Sequence, residues 1–178
     1  MISFPNKKYN IIYADPAWSY KDKASAGERG ACYKYPTQSQ KWICNLPVQD
    51  ISADNCILFL WITMPKLNEV MEVIESWGFE YKTCGFTWVK KNKKKDSWFW
   101  GMGRWTRANA ELCLIATKGK PKRINAGVHS IIDTKIERHS KKPDVVRDKI
   151  VELCGDLPRI ELFAREKVKG WDSWGNEV

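Results

Sequence analysis

Histidine is almost missing from this chain, with two in 178 residues, and none of its six cysteines stands in a C-x-x-C pair. Metal sites generally take two ligands from one turn, which pre-forms half of a tetrahedron. No metal centre is therefore expected. Cys32, Cys44, Cys56, Cys84, Cys113 and Cys154 read as free thiols of a reducing compartment. His129 and His139 read as surface or helix-start residues. No apolar run approaches the roughly eighteen residues of a membrane span, and Ile57–Ile62 is far too short. The opening Met1-Ile-Ser-Phe-Pro lacks the charged-then-apolar layout of a signal peptide, so a cytoplasmic chain is expected. No repeat of 20–50 residues is visible, which excludes solenoids and propellers. Acid is the scarce charge: 21 Asp and Glu stand against 30 Lys and Arg, leaving +9. Such an excess favours a polyanionic partner.

What is plentiful is aromatic: ten Trp, six Tyr and six Phe. Length predicts a single domain over residues 1–178, large enough to bury a core without staples. Short apolar or β-branched runs at Tyr9–Ala14, Ile57–Trp61, Thr83–Val89, Glu111–Thr117 and Arg159–Phe163 predict strands. Helical periodicity predicts Lys66–Trp77, capped by Gly78, and Pro143–Cys154, stopped by Gly155. Strands alternating with helices predict an α/β fold with a largely parallel sheet. The pair Thr83–Val89 and Glu111–Thr117 has no helix between its members, which predicts an antiparallel pair at the sheet edge. The long stretches 19–35 and 90–106 fit no regular element, and loops of that length in a compact domain are commonly functional.

The segment Asn10-Ile-Ile-Tyr-Ala-Asp15-Pro16-Ala17-Trp18 carries the most chemistry. A strand runs directly into Asp-Pro at its carboxyl end, where open α/β sheets bind ligands. Pro16 fixes its own φ and disfavours helix at Asp15. The Asp15 carboxylate and the Pro16 carbonyl then offer two acceptors that match the two N–H donors of an exocyclic amine. Trp18 is placed to stack on the ring bearing that amine. This reads as an aminopurine or cytosine site, or as an ordinary strand-end turn.

Asp15-Pro-Ala-Trp18 resembles the Asp-Pro-Pro-Trp motif of the MT-A70 family of N6-adenine methyltransferases. The likeness runs along nearly the whole chain, through Tyr35-Pro-Thr, Leu58-Phe-Leu-Trp61, Trp77-Gly-Phe, Trp88-Val-Lys, Glu111–Gly119, His139–Asp144, Glu161–Arg165 and Trp174–Glu177. It implies a Rossmann-like methyltransferase fold with helices on both faces and a circularly permuted motif order, the catalytic motif preceding the main cofactor motif. It implies methyl transfer from S-adenosyl-methionine to the adenine amino group in nucleic acid. Asp15, Pro16, Ala17 and Trp18 would be the catalytic motif. Asp15, Lys142, Phe163, Arg165, Asn176 and Glu177 would bind the cofactor, with Lys142 on the methionine carboxylate. Ala17 departs from the second motif proline, and Glu166-Lys-Val departs from the polar residues of eukaryotic relatives.

For the substrate, Tyr20 and Tyr35 are candidates for the pocket wall. The loop from Lys90 to Arg107 carries seven basic side chains against one acid, interleaved with Trp98, Phe99, Trp100 and Trp105. A lysine run is ordinarily a solvated loop. Here it follows a strand at the expected active edge, so Lys93, Lys94, Lys95, Arg104 and Arg107 are assigned to phosphate, and the aromatics to bases. Glu111 faces the pocket or pairs with a nearby lysine. The compact chain favours DNA over RNA and a prokaryotic or phage source; members of the family it resembles often pair through their methyltransferase domains, which leaves a monomer, a homodimer and a heterodimer all open. The alternative is a non-catalytic partner subunit that only binds nucleic acid. The retained Asp15, Trp18, Lys142 and Asn176 favour an enzyme.

Overall fold

A computed structural model describes residues 3–19, 38–103, 105–138 and 140–178. Tyr20, Tyr35 and Arg104, and the Tyr35-Pro-Thr motif, lie outside the described residues. The elements are β1 (Tyr9–Ala14), α1 (Gln40–Cys44), β2 (Ser52–Ile62), α2 (Leu67–Ser76), β3 (Glu80–Trp88), β4 (Glu111–Lys118), β5 (Ile131–Ile132), α3 (Val145–Cys154), β6 (Arg159–Leu162) and β7 (Asp172–Trp174). Among the described residues, no helix is long and apolar enough to cross a membrane.

The strands form one seven-stranded sheet in the order β5-β3-β4-β2-β1-β6-β7. β1 pairs in parallel with β2 and with β6, β6 with β7, and β3 with β5. Only β4 runs against its neighbours, β2 and β3. The expected antiparallel pair exists, but not at the edge: β4 is inserted between β3 and β2, and β5 lies outside β3. The expected edge position fails because β5 has only two residues, too short to register as a periodic run.

Alternation along β1 sorts its side chains between the two faces, as strand geometry requires. Ile12 and Ala14 join Leu58, Leu60 and Ile62 of β2 in a core closed by Val70, Val73 and Ile74 of α2. Ile11 and Tyr13 join Ile57, Phe59 and Trp61 in a second core closed by Val146, Ile150 and Cys154 of α3. Each fully buried aliphatic side chain contributes about 1.5–3 kcal/mol. Helices thus cover both faces, and β1, between β2 and β6, is buried along all but one of its residues. α1 is held at its start by Ser39, whose Oγ accepts from Trp42 N at 3.2 Å. α2 ends at Trp77, with Gly78 following at φ +79°, and α3 ends at Gly155 at φ +92°.

This topology gathers one edge. The carboxyl ends of β1, β2, β3, β6 and β7 point the same way, and antiparallel β4 brings its first residue, Glu111, opposite Trp88 at that same edge. The chain enters it with β1 and returns with β6 and β7, the permuted motif order.

Candidate active site

Asp15 is the first residue beyond β1, and the backbone turns sharply there. Trp18 N donates to Pro16 O at 2.9 Å, and Gln38 N to Ala17 O at 2.9 Å. The Pro16 carbonyl keeps a second lone pair. Trp18 is buried, and its indole Nε1 donates to Trp61 O at 3.2 Å. That ring is therefore core on one side and site wall on the other.

The Asp15 carboxylate is held by a cation from far along the chain. Lys142 Nζ donates to Asp15 Oδ2 at 2.7 Å and lies 3.3 Å from Glu111 Oε2. Glu111 in turn accepts from Lys90 Nζ at 2.5 Å through Oε1. Both alternatives for Glu111 hold at once: it faces the cavity and it pairs with lysine. Lys142 Nζ also lies over the Trp61 ring, 5.6 Å from its centroid. Burial raises the Asp15 pKa against the pull of the Lys142 ammonium. Burial acts the same way on Glu111, but there Lys142 and Lys90 prevail and the pKa falls. Burial alone would lower the pKa of Lys142, yet Asp15 and Glu111 raise it, so it stays a cation.

Two cavities meet at this carboxylate. One, of about 170 Å³, lies between the β1 turn and the ends of β6 and β7; Ala17, Trp42, Phe163, Arg165, Trp174, Asn176 and Glu177 line it. The other, of about 360 Å³, lies between the β1 turn, β3 and the start of β4; Trp18, Thr63, Trp88, Phe99, Glu111 and Lys142 line it. Asp15, Pro16 and Ser140 line both. The first has an aromatic wall, Phe163 standing edge-on to Trp174 at 5.6 Å and tilted to Trp42 at 6.5 Å. At its rim Arg165 Nε donates to Glu177 Oε1 at 2.8 Å.

Local backbone at the junction is unusual. Ser140 and Phe163 have φ of 63° and 62°, the left-handed region that side chains rarely enter. Gly175 lets the last strand approach β6: a Cβ there would lie 2.4 Å from Ala164 O. Beneath, Arg147 Nε and Nη2 donate to Glu161 Oε2 and Oε1 at 2.7 and 3.0 Å, a bidentate pair that ties α3 to β6. Trp61 Nε1 donates to Tyr13 OH at 2.7 Å, so both rings are fixed below Lys142.

The expected residues are thus divided. Asp15, Pro16, Ala17, Phe163, Arg165, Asn176 and Glu177 line the first cavity, whereas Trp18 and Lys142 line the second. Lys93, Lys94, Lys95 and Arg107 are exposed and line neither. Trp42, Ser140, Trp88 and Phe99 are wall residues that no motif of the catalytic or cofactor set singles out. Only the fold brings them together; Ser140, Trp88 and Phe99 had a faint signal in lying within segments already marked.

Comparison with known proteins gives a consistent picture. The MT-A70 family model matches residues 9–177. The chain is 38% identical to the Type II methyltransferase M.MunI of a Mycoplasma species, over 98% of this chain and 79% of that protein. It is 29% identical to the human N(6)-adenosine-methyltransferase catalytic subunit METTL3, over 96% of this chain and 28% of that protein. An Arabidopsis N(6)-adenosine-methyltransferase MT-A70-like protein is 26% identical, over 96% of this chain and 24% of its own length.

Proposed function

The chain belongs to the MT-A70 family and is an N6-adenine methyltransferase, and we propose that it takes the methyl group from S-adenosyl-methionine and delivers it to adenine in DNA. The observation that carries the reading is the meeting of two cavities at Asp15 and Pro16. Transfer needs donor and acceptor on either side of one point, in line and in near-attack geometry.

The residues of the first cavity suit the cofactor. Its aromatic wall of Trp42, Phe163 and Trp174 offers faces for a purine, and Asn176 and Glu177 offer acceptors for ribose hydroxyls. S-adenosyl-methionine supplies an activated methyl on a sulfonium. Asp15, on the border, serves the ammonium of its methionine part or the acceptor amine.

Adenine enters the second cavity between Trp18, Trp88 and Phe99. Its amino lone pair is conjugated with the ring and weakly nucleophilic. The Asp15 carboxylate and Pro16 carbonyl accept its two N–H bonds, favour a pyramidal nitrogen and release the lone pair. Lys142 orients Asp15 through the 2.7 Å hydrogen bond. The product is a cationic amine, which loses its proton readily without a dedicated base. Adenine inside a duplex must be turned out of the stack to reach this point.

DNA is favoured over RNA because the identity is 38% to a Type II methyltransferase and 29% to a subunit named for adenosine, the ribonucleoside. The test is nucleoside mass spectrometry after incubation of DNA, and separately RNA, with the protein and methyl-labelled S-adenosyl-methionine. Label in N6-methyl-deoxyadenosine is expected. Label only in the ribonucleoside overturns the DNA assignment. Binding of S-adenosyl-homocysteine and nucleic acid with no transfer to either would return the non-catalytic subunit.

A further inference from the structure

The loop 90–107 ends in a tip that neither core explains. Trp98, Trp100, Met102 and Trp105 are 45, 61, 85 and 95% exposed. A contiguous exposed apolar patch marks an interaction surface, which a single exposed residue does not. The ground around them is basic: Lys93, Lys94, Lys95 and Arg107 are all exposed. An apolar tip among cations fits a polyanion with an apolar interior, which describes stacked nucleic acid.

The base of this loop is fastened. The Asn109 side chain accepts from Lys90 N at 2.7 Å and donates to Lys90 O at 3.0 Å and Phe99 O at 2.5 Å. Gly101 N donates to Ala108 O at 2.6 Å and closes the tip. Within it the chain turns so tightly that a Cβ on Gly103 would lie 1.7 Å from Thr106 O. The fastened base belongs to the second cavity, since Lys90 and Phe99 line it. The hydrogen-bonded base of the loop therefore carries Trp105 from the mouth of the proposed adenine cavity into solvent.

We propose that this tip is a wedge: Trp105, on the same tip as Met102, enters a DNA duplex and fills the gap left when the target adenine turns out into the second cavity. The inference rests on the reading of that cavity as the adenine site. Turning a base out leaves a hole whose neighbours have lost a stacking partner, and an indole restores that surface on any sequence. Lys93, Lys94 and Lys95 hold the flanking phosphates while it does so. The wedge is needed for paired DNA only, because a single strand presents its adenine with no hole to fill.

Plasmid DNA, native and heat-denatured, separates these roles. Trp105→Ala should lower methylation of native DNA by about tenfold or more, the worth of one lost stack, while leaving denatured DNA within about threefold. Trp105→Phe should restore most of the native rate. Filter binding of native DNA should stay within about threefold, since phosphate contacts are untouched. Because Trp105 lies outside both cores, the variants keep their fold. Equal loss on both forms would make the tip a general binding surface and overturn the wedge. So would an unchanged native rate, or a wild type that methylates denatured DNA alone. If the wild type acts on native DNA alone, retained binding with lost methylation supports the wedge, and parallel loss of both overturns it. A wild type inactive on both forms removes the adenine reading itself, and the wedge with it.

Discussion

At the scale of single residues, the site is organised by one ammonium between two carboxylates. Lys142 lies 2.7 Å from Asp15 and 3.3 Å from Glu111. In the proposed mechanism methyl transfer needs Asp15 ionised, and burial has raised its pKa. The acid limb of kcat/KM therefore lies at higher pH than an unperturbed aspartate would place it, activity falling as pH drops through the raised value. Lys142→Gln removes the cation that opposes burial at Asp15 and lowers Glu111. Both pKa values should rise and the acid limb should move to higher pH, which a pH–rate profile reads directly. The same change leaves two carboxylates facing each other at neutral pH, and should cost about 1–3 kcal/mol of stability there. Part of that loss returns on acidification, because a group whose folded pKa is raised stabilises the fold below it. A limb that stayed in place would show that Asp15 is not the titrating group. Trp18 teaches a related lesson. As a motif residue it reads as a base-stacking ring, yet it is 5% exposed and hydrogen-bonded to Trp61 O. No sequence pattern separates a wall from a core residue when one ring is both.

Among elements, the close approach of β6 and β7 shapes the cofactor side. Ala164 N donates to Trp174 O at 3.0 Å, and the next residue, Gly175, has no room for a side chain. Gly175→Ala must push the final segment away from Ala164. It should cost about 1–3 kcal/mol of stability, as overpacking does, and weaken S-adenosyl-homocysteine binding by about tenfold or more in calorimetry. DNA binding should not change; a cofactor affinity equal to wild type would place the ligand elsewhere. Much of this layer is legible in the sequence. Tyr9–Ala14 is found at its expected bounds, and both long helices lie within theirs. β2 begins at Ser52, five residues before the apolar run, because Ser52 already pairs with Tyr9, ahead of a register shift that takes up the polar Asp54 and Asn55. β5 and β7, with two and three residues, carry no period to read. α1 is five residues long and depends on its Ser39 cap rather than on an apolar stripe. The division of the site into two cavities was not legible, because Asp15 and Pro16, and Ser140 far along the chain, border both and meet only in the fold.

For the whole molecule, the excess of +9 charges is a statement about association. Lys91 is tied to Asp133 at 3.0 Å and Asp96 at 3.4 Å, whereas Lys93, Lys94 and Lys95 are exposed. Changing these three to Gln should weaken binding alike across sequences and flatten the plot of log K against log salt. The slope should fall by up to roughly 2.7 on duplex DNA, at roughly 0.9 for each lost phosphate contact. Equal slopes would make the run a solvated loop and move the basic face to Lys118–Arg123 or to 138–142. Asp15 is where the two cavities and the Lys142 network converge, and where the proposed cofactor and base meet. The measurement that tests it most directly is the single-turnover rate of methyl transfer to DNA by Asp15→Ala, with thermal unfolding run alongside to confirm the fold. The expected result is a folded protein whose rate falls by about a hundredfold or more, as when a preorganised group is lost from a reacting centre. A folded variant that keeps more than about a tenth of the wild-type rate, far above that loss, would contradict it.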